Sequence, residues 1–240
     1  EAIKAQTILA RTYICRQMEQ MGLEEEIPES SLGLEKNRNN QMEPLWGTEI
    51  FPEYYSRFEK AARETEGVTL TWEGHFIDPL FTHTTTGFTR PGDEEHPYLA
   101  SVSCVHDPEE EGFVQEMIMQ PEEAAKRVSA IPAGDGSFRT IPPEAFPEQV
   151  QIISRDEAGY ALQLQIGGFP FNGEEVRLAL GLPSACFELN RHGSDVRFTV
   201  RGRGHGWGLS QTEAQALAED GWSAEAILEY FYTGISFSSE

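Results

Sequence analysis

An α+β fold, with helices around a mixed, largely antiparallel sheet core and a strand-rich subdomain, is the fold class this sequence predicts. Helix-like stretches stand at the two ends of the chain, whereas strand-like runs crowd residues 131–190. Those runs are separated by turn residues such as Asp156-Glu157-Ala158-Gly159. The 240 residues, 39% of them hydrophobic, suffice for one large domain or for a domain with an inserted subdomain. The expected division is a main domain of residues 1–130 and 191–240, with a strand-rich subdomain at 131–190.

Glu1 to about Gly22 reads as a helix: Ala2, Ala5, Leu9, Thr12 and Ile14 supply small or apolar positions, and Gly22 is a C-terminal stop. Glu24–Asn40 is acidic, then polar, holds Pro28 and Gly33, and reads as a loop. A second helix follows Pro52 and covers Glu53–Glu66, ending at Gly67. Val68–Trp72, the turn Glu73-Gly74 and His75–Ile77 form a hairpin signal. Phe81–Pro91, rich in Thr and Gly, is a loop or a short strand leading into one. Glu116–Ala130 reads as a short helical region. Val150–Ile153 and Tyr160–Ile166 read as strands separated by Asp156-Glu157-Ala158-Gly159, and Leu162, Leu164 and Ile166 alternate as a strand requires. Asn172-Gly173 opens a short helix through Leu180. Cys186–Leu189 and Val196–Val200 pair across a turn at His192-Gly193. Helices over Thr212–Glu219 and Ala224–Tyr232 close the chain, with Gly221 stopping the first and Ser223 capping the second.

The formal charge of −22 argues against a nucleic-acid partner, since binding a polyanion needs a dominant basic field. Solubility is the plain reading of the acidity. No apolar run approaches the length of a membrane span, and the opening residues do not read as a signal peptide. Cys15, Cys104 and Cys186 stand far apart; an odd count fits no complete disulfide framework, and three buried thiols are expected.

Residues 202–211 read Gly-Arg-Gly-His-Gly-Trp-Gly-Leu-Ser-Gln, with glycine at every second position. A Walker loop would end in Gly-Lys-Ser/Thr, and a dinucleotide loop needs a third glycine where Trp207 or Leu209 stands; both readings fail. If the segment is extended, Gly202, Gly204, Gly206 and Gly208 share a face that another backbone or a ligand can approach, while Arg201, Arg203, His205 and Trp207 share the other. Cations, an imidazole and an indole on one stripe suit a sugar chain bearing carboxylates. Taken alone, glycines in such a segment more often serve close packing than a ligand. Ser210-x-x-Glu213 before Ala214-Gln215-Ala216-Leu217 is a capping box, so helix capping is the plain role of Ser210.

With Ile227-Leu228-Glu229-Tyr230-Phe231-Tyr232-Thr233-Gly234 behind it, this segment resembles the end of the stage II sporulation protein D family. The start, Glu1-Ala2-Ile3-Lys4-Ala5-Gln6 with Ala10-Arg11-Thr12-Tyr13, resembles that family's E-A-x-K-A-Q…A-R-T-Y helix. Phe81–Thr89 resembles its S-x-S-G-G-x-T loop, and Pro97-Tyr98-Leu99 and Arg177–Leu182 fall in family order. The resemblance implies a peptidoglycan lytic transglycosylase that cleaves glycan strands stripped of stem peptides, leaving 1,6-anhydro-muramyl ends during sporulation engulfment. It implies a groove lined by both the first helix and residues 202–208. The substrate-contacting positions carried over are Lys4, Arg11, Thr85, Gly87, Thr89, Arg203, Gly204, His205, Gly206, Ser210 and Gln211. Lys4 and Arg11, about two helical turns apart, share a helix face; Arg11 would bind a lactyl carboxylate or orient the catalytic glutamate. The family's glutamate belongs to an E-M-P element preceding the first helix, so the catalytic residue lies ahead of residue 1; Glu1 matches a helix-start glutamate and complements the helix dipole. The implied partners are peptidoglycan glycan strands, a cell-wall amidase and a membrane scaffold of the engulfment machinery. The implied location is extracytoplasmic, anchored by a preceding N-terminal segment.

The chain departs from the family pattern in places. Asn37–Trp46 has neither Cys nor His where some members carry a metal site, and Cys104-Val105-His106 with His83 or His96 lacks zinc spacing, so no metal and no cofactor are expected. Thr86 stands at the first glycine of the family loop. Trp207 replaces a small apolar residue and either offers a sugar-stacking face or fills the core. His83, His96 and His192 read as surface or turn histidines, whereas His205, between two glycines, can hydrogen-bond a hydroxyl or hold the glutamate. A non-catalytic amidase enhancer that binds cell wall is the alternative, and a plain structural domain ranks last.

Overall fold

The computed structural model describes residues 1–23, 26–33 and 39–239, and its fold is α+β. In chain order the helices are α1 (Ala2–Met21), α2 (Asn39–Trp46), α3 (Phe51–Glu64), α4 (Pro121–Ser129), α5 (Gly173–Leu180), α6 (Gln211–Glu219) and α7 (Ala224–Phe231). The strands are β1 (Val68–Trp72), β2 (His75–Phe76), β3 (Phe81–Thr82), β4 (Val114–Met119), β5 (Val150–Arg155), β6 (Ala161–Ile166), β7 (Phe169–Asn172), β8 (Phe187–His192), β9 (Asp195–Arg201), β10 (Leu209–Ser210) and β11 (Ser236–Ser239). They form two compact units: Glu1–Leu80 with Gly92–Leu99 and Ala214–Glu240, and Phe81–Pro91 with Ala100–Glu213. The stretch 131–190 falls inside the second unit. Of the expected loop at Glu24–Asn40, residues 24–25 and 34–38 lie outside the described residues, and Asn39 and Asn40 already belong to α2.

In the first unit α1 packs against α3, β1, β2 and α7. Ala5, Ile8 and Leu9 bury its apolar face, beside a core holding Leu70, Ile77, Ile227, Leu228 and Phe231. Thr12, buried on the same face, donates to the Ile8 carbonyl (2.8 Å) and accepts from the Leu70 N–H (2.9 Å), so a helix side chain satisfies a strand amide. Gly22 ends α1 in the left-handed region (φ 65°): its N–H reaches the Glu19 carbonyl and that of Leu23 the Met18 carbonyl. The β1–β2 hairpin turns on Glu73 (φ 50°) and Gly74 (φ 86°), both left-handed, the backbone of a tight two-residue loop. Strand β11, which the sequence reading did not include, pairs antiparallel with β1, Leu70 opposite Phe237.

The second unit holds two antiparallel sheets, ordered β4-β9-β8 and β5-β6-β7, and the short parallel pair β3-β10. Ala124 and Val128 of α4, Val176 and Leu180 of α5, Leu164 and Ile166 of β6, and Phe187, Phe198 and Val200 share its core. Helix α5 is capped as Asn172-Gly173 suggests: the Asn172 side chain accepts the Glu174 N–H at 2.8 Å, and Gly181 closes the helix in the left-handed region. The expected helical region Glu116–Ala130 is half strand. Val114, Glu116 and Ile118 point outward while Met117 and Met119 pack against the core, a period of two; Pro121 then opens α4. No cysteine is in a disulfide; Cys104 and Cys186 are buried, while Cys15 is only half-buried, contrary to expectation. Among the described residues, no helix is long and apolar enough to cross a membrane.

Candidate functional site

Residues 202–208 are not an extended strand, and only Leu209–Ser210 continue as β10. Gly202, Gly204, Gly206 and Gly208 take φ values of 72°, 113°, 86° and 70°, so the expected two-faced stripe does not form. The glycines are required by close approach as well as by backbone conformation. A Cβ on Gly202 would stand 2.8 Å from the Thr85 carbonyl oxygen, one on Gly204 2.1 Å from Thr82 Oγ1, and one on Gly206 2.4 Å from Tyr160 Cζ. Thr84 and Arg203 exchange N–H···O bonds of 3.0 and 2.8 Å, the Gly204 N–H reaches Pro183, and the Arg90 N–H reaches the Gly206 carbonyl at 2.8 Å. The segment is thereby stitched to residues 82–90.

The side chains then part company. Arg203 is exposed and lines a cavity of about 190 Å³ with His83, Thr84, Glu110, Glu111 and Phe113. His205 and Trp207 are half-buried, ring centroids 5.6 Å apart and tilted by 33°, and the Trp207 backbone N–H donates to His205 Nδ1 at 3.1 Å. Beneath them lies Arg90, only 3% exposed, its guanidinium 3.7 Å from the Trp207 ring centroid and 4.8 Å from that of Tyr160. Arg90 Nε donates to Asp156 (2.5 Å), and Nη1 donates to Glu174 (3.0 Å) and to the His205 carbonyl (3.3 Å). A guanidinium suits this position because it is flat enough to stack and forked enough to satisfy two carboxylates.

Behind the glycine segment a second network holds Thr85 and Ser210. The buried Asp107 accepts from the Thr85 N–H and Oγ1, both at 2.6 Å, and from Ser210 Oγ at 2.8–2.9 Å. Burial pushes the Asp107 carboxyl above the usual range, the neighbouring Glu213 adds to this, and the Thr85 and Ser210 hydrogen bonds oppose it. Ser210 Oγ also accepts the Glu213 N–H at 3.3 Å, the capping half of the expected box. The other half is redirected: buried Glu213 accepts the His106 N–H (2.9 Å) and faces His106 Nδ1 at 3.1 Å. Gly87 donates to Thr85 Oγ1 (3.1 Å), Thr89 Oγ1 bonds the Ala100 carbonyl and the Val102 N–H (both 2.9 Å), and Gln211 Oε1 lies 3.4 Å from His83 Nδ1. Thr85, Gly87, Thr89, Arg203, Gly204, His205, Gly206, Ser210 and Gln211 therefore share the second unit, with the buried Thr85, Thr89 and Ser210 hydroxyls engaged by the protein itself.

Lys4 and Arg11 belong to the first unit. Lys4 pairs with Glu1 (2.6 Å) and Glu64 (2.8 Å) and lines a cavity of about 360 Å³ with Glu1, Arg57, Lys60 and Glu219. Glu1, and secondarily Glu64, push the Lys4 ammonium well above its usual range. Glu1 Oε2 also accepts the Ala224 N–H at 2.9 Å; Lys4 first and this amide second hold the Glu1 carboxyl below the usual range. Arg11 donates to the carbonyls of Thr65 (2.5 Å) and Val68 (2.8 Å), where α3 ends and β1 begins. Among the described residues, no group of three or more His, Cys, Asp or Glu could hold a metal ion.

Sequence reasoning missed Arg90 and Asp107. Arg90 closes the Thr-rich stretch as Thr89-Arg90-Pro91, a lone cation among neutral residues, and Asp107 follows the Cys104-Val105-His106 run that was weighed only as a metal site. A single Arg or Asp whose side-chain hydrogen-bond partners lie 22 to 115 residues away leaves no local signal.

The fold and site define an α+β chain of two compact units, the second built around a left-handed glycine segment that presents an imidazole and an indole. No family model matches the chain. It is 29% identical over 251 residues to stage II sporulation protein D of Bacillus subtilis (strain 168), and 27% identical over 247 residues to that of Bacillus amyloliquefaciens; each match covers 99% of this chain and 68% of the relative. It is also 22% identical over 289 residues to an amidase enhancer of Bacillus subtilis (strain 168), covering 38% of that protein. The likeness to the two sporulation proteins runs through the whole chain and is one of homology.

Proposed function

We propose that this chain is a cell-wall domain acting in sporulation, which engages peptidoglycan glycan strands and serves a lytic transglycosylase that cleaves denuded strands during engulfment. The observation that carries the reading is the His205–Trp207 pair on its glycine segment, in a chain similar along 99% of its length to stage II sporulation protein D. An imidazole beside an indole edge meets the hydroxyls and apolar ring faces of a sugar, and Arg203 supplies an exposed cation for a lactyl carboxylate. In this reading Arg203, His205 and Gln211 touch glycan, whereas Thr85, Thr89 and Ser210 hold the loops in place. Lys4 offers glycan a cation at the first unit's own cavity, and Arg11 fixes the α3–β1 junction.

Cleavage to a 1,6-anhydro end needs one carboxyl that first protonates the glycosidic oxygen and then takes the proton of the muramic 6-hydroxyl. Such acid–base help is worth about a factor of 10² to 10⁴. Glu1 is unsuited to it, because Lys4 and the Ala224 N–H favour its ionised form. The acid in this reading is the glutamate of an E-M-P element preceding Glu1. An extracytoplasmic setting, a membrane-anchoring segment, a cell-wall amidase and a membrane scaffold complete the proposal. Likeness to an amidase enhancer supports the second reading, a module that binds glycan and amidase without cutting.

The test is sedimentation of residues 1–240 with amidase-treated glycan, with intact peptidoglycan, and with a neutral polysaccharide. Preferential binding to treated glycan, without cleavage, is expected; a chain extended through the E-M-P element releases products with 1,6-anhydro ends by mass spectrometry. Equal retention on all three polymers overturns glycan recognition. Binding without anhydro products from the extended chain selects the enhancer reading.

A further inference from the structure

The contact between the Trp207 N–H and His205 Nδ1 fixes more than a distance. A ring nitrogen that accepts an N–H carries no proton, so the neutral imidazole holds its hydrogen on Nε2. An Nε2–H can donate to a carboxylate or hydroxyl oxygen, but it cannot take a proton from a hydroxyl. The contact spans two residues across Gly206, inside a segment whose alternating glycines impose little backbone preference of their own. Contacts from outside the segment also hold this turn, among them Thr82 Oγ1, which accepts the Gly206 N–H at 3.2 Å.

Arg90 touches all three residues of that turn. Its Nη1 donates to the His205 carbonyl, its backbone N–H to the Gly206 carbonyl, and its guanidinium lies against the Trp207 ring, whose Nε1 donates to the neighbouring Pro91 carbonyl at 3.1 Å. Arg90 is held from below by Asp156, Glu174 and the Tyr160 ring. Tyr160 in turn fills the space that a Cβ on Gly206 would need. Tyr160, Arg90, Trp207 and His205 thus form one continuous stack, from a fully buried phenol to a half-buried imidazole. We propose that Arg90 is a positioning residue that, through Trp207, holds His205 as its Nε2–H tautomer, so that the imidazole meets a glycan oxygen as a hydrogen-bond donor. The tautomer lock stands on the geometry alone; the glycan as its recipient rests on the function proposed above.

The test reads the ring directly. In ¹⁵N-histidine-labelled protein, with His205 assigned by His205→Gln, long-range ¹H–¹⁵N spectra report which ring nitrogen bears the proton. The wild type is expected to show an unprotonated Nδ1 and a protonated Nε2 at pH 8. The triple variant Arg90→Met, Asp156→Asn, Glu174→Gln, which leaves no buried carboxylate orphaned, is expected to shift toward an average of both tautomers and to bind amidase-treated glycan about tenfold less tightly, the loss of one hydrogen bond. A residue that only stabilises the fold would lower the unfolding midpoint and leave the ring shifts unchanged. If the triple variant does not fold, Arg90→Lys, which keeps the charge but not the flat stack, is read in the same way. A wild-type ring protonated on Nδ1, or a folded Arg90 variant with the wild-type tautomer, overturns the proposal. A locked tautomer in a protein that binds no glycan refutes the glycan reading and leaves the positioning role intact.

Discussion

Replacing Gly206 by alanine tests whether the glycine segment is built by close packing. The backbone there has φ of 86°, and a Cβ would stand 2.4 Å from Tyr160 Cζ and 2.5 Å from its hydroxyl oxygen. Left-handed backbone costs a residue with a Cβ roughly 1–2 kcal/mol. Overpacking against a rigid side chain adds about 1–3 kcal/mol, and Tyr160, wholly buried, has no exposed end to swing aside. The expected loss for Gly206→Ala is therefore about 2–5 kcal/mol. Gly22→Ala is the matched control: its φ is 65°, but nothing lies within 4 Å of the new Cβ, so only the backbone cost of about 1–2 kcal/mol applies. Urea unfolding, followed separately by tryptophan fluorescence and far-UV circular dichroism, measures both. A Gly206→Ala protein no less stable than Gly22→Ala would show that Tyr160 yields freely and that the close approach does not matter.

Two other perturbations follow from the buried polar groups. Because burial raises the folded-state pKa of Asp107 above its unfolded value, the native state holds this proton more tightly. Its contribution is favourable below the ordinary carboxylate pKa and is lost as pH rises through the folded value. Asp107→Asn, whose amide can still accept from Thr85 and donate to Ser210 Oγ, is expected to flatten that part of the stability–pH curve, whereas Asp107→Ala leaves the Thr85 and Ser210 donors unmet; an Asn variant with the wild-type curve would assign the pH dependence elsewhere. Arg11→Ala is expected to cost about 1.5–3 kcal/mol through the lost carbonyl contacts at the α3–β1 junction, measured by the same unfolding assay. Glycan binding that falls selectively for denuded strands, with stability unchanged, would instead return Arg11 to the role of carboxylate ligand.

Much of the framework is legible in the sequence because its signals are local. Gly22, Asn172, Ser223 and the Glu73-Gly74 turn each act through neighbours within a few residues, and the structure uses them as a helix stop, caps and a hairpin turn. Residues 116–119 misled because Glu116 and the two methionines suit a helix by propensity, and only pairing with β9, some eighty residues on, settles them as strand. The short β11 is set by β1 across the length of the chain and has no marker of its own. In the candidate site, alternating glycines drew attention to residues 202–208 but suggested the wrong backbone: an extended chain and a run with left-handed glycines share one sequence pattern. The residues that organise it, Arg90 and Asp107, became visible only once distant partners were in place.

The pairing of β1 with β11 also bears on the order in which the chain can assemble. The first unit is drawn from three separate stretches, and its sheet places Val68 opposite Ser239. A ribosome delivers residues 68–72 long before residues 236–239, so until then one edge of β1 has no partner and α1 lacks the α7 surface it packs against. The second unit needs no such wait: apart from Phe81–Pro91, it is one uninterrupted run, complete at Glu213. Its folding can precede closure of the first unit during synthesis. In the interval, the unpaired edge of β1 is where a chaperone, or a misplaced strand from another chain, would find its opening.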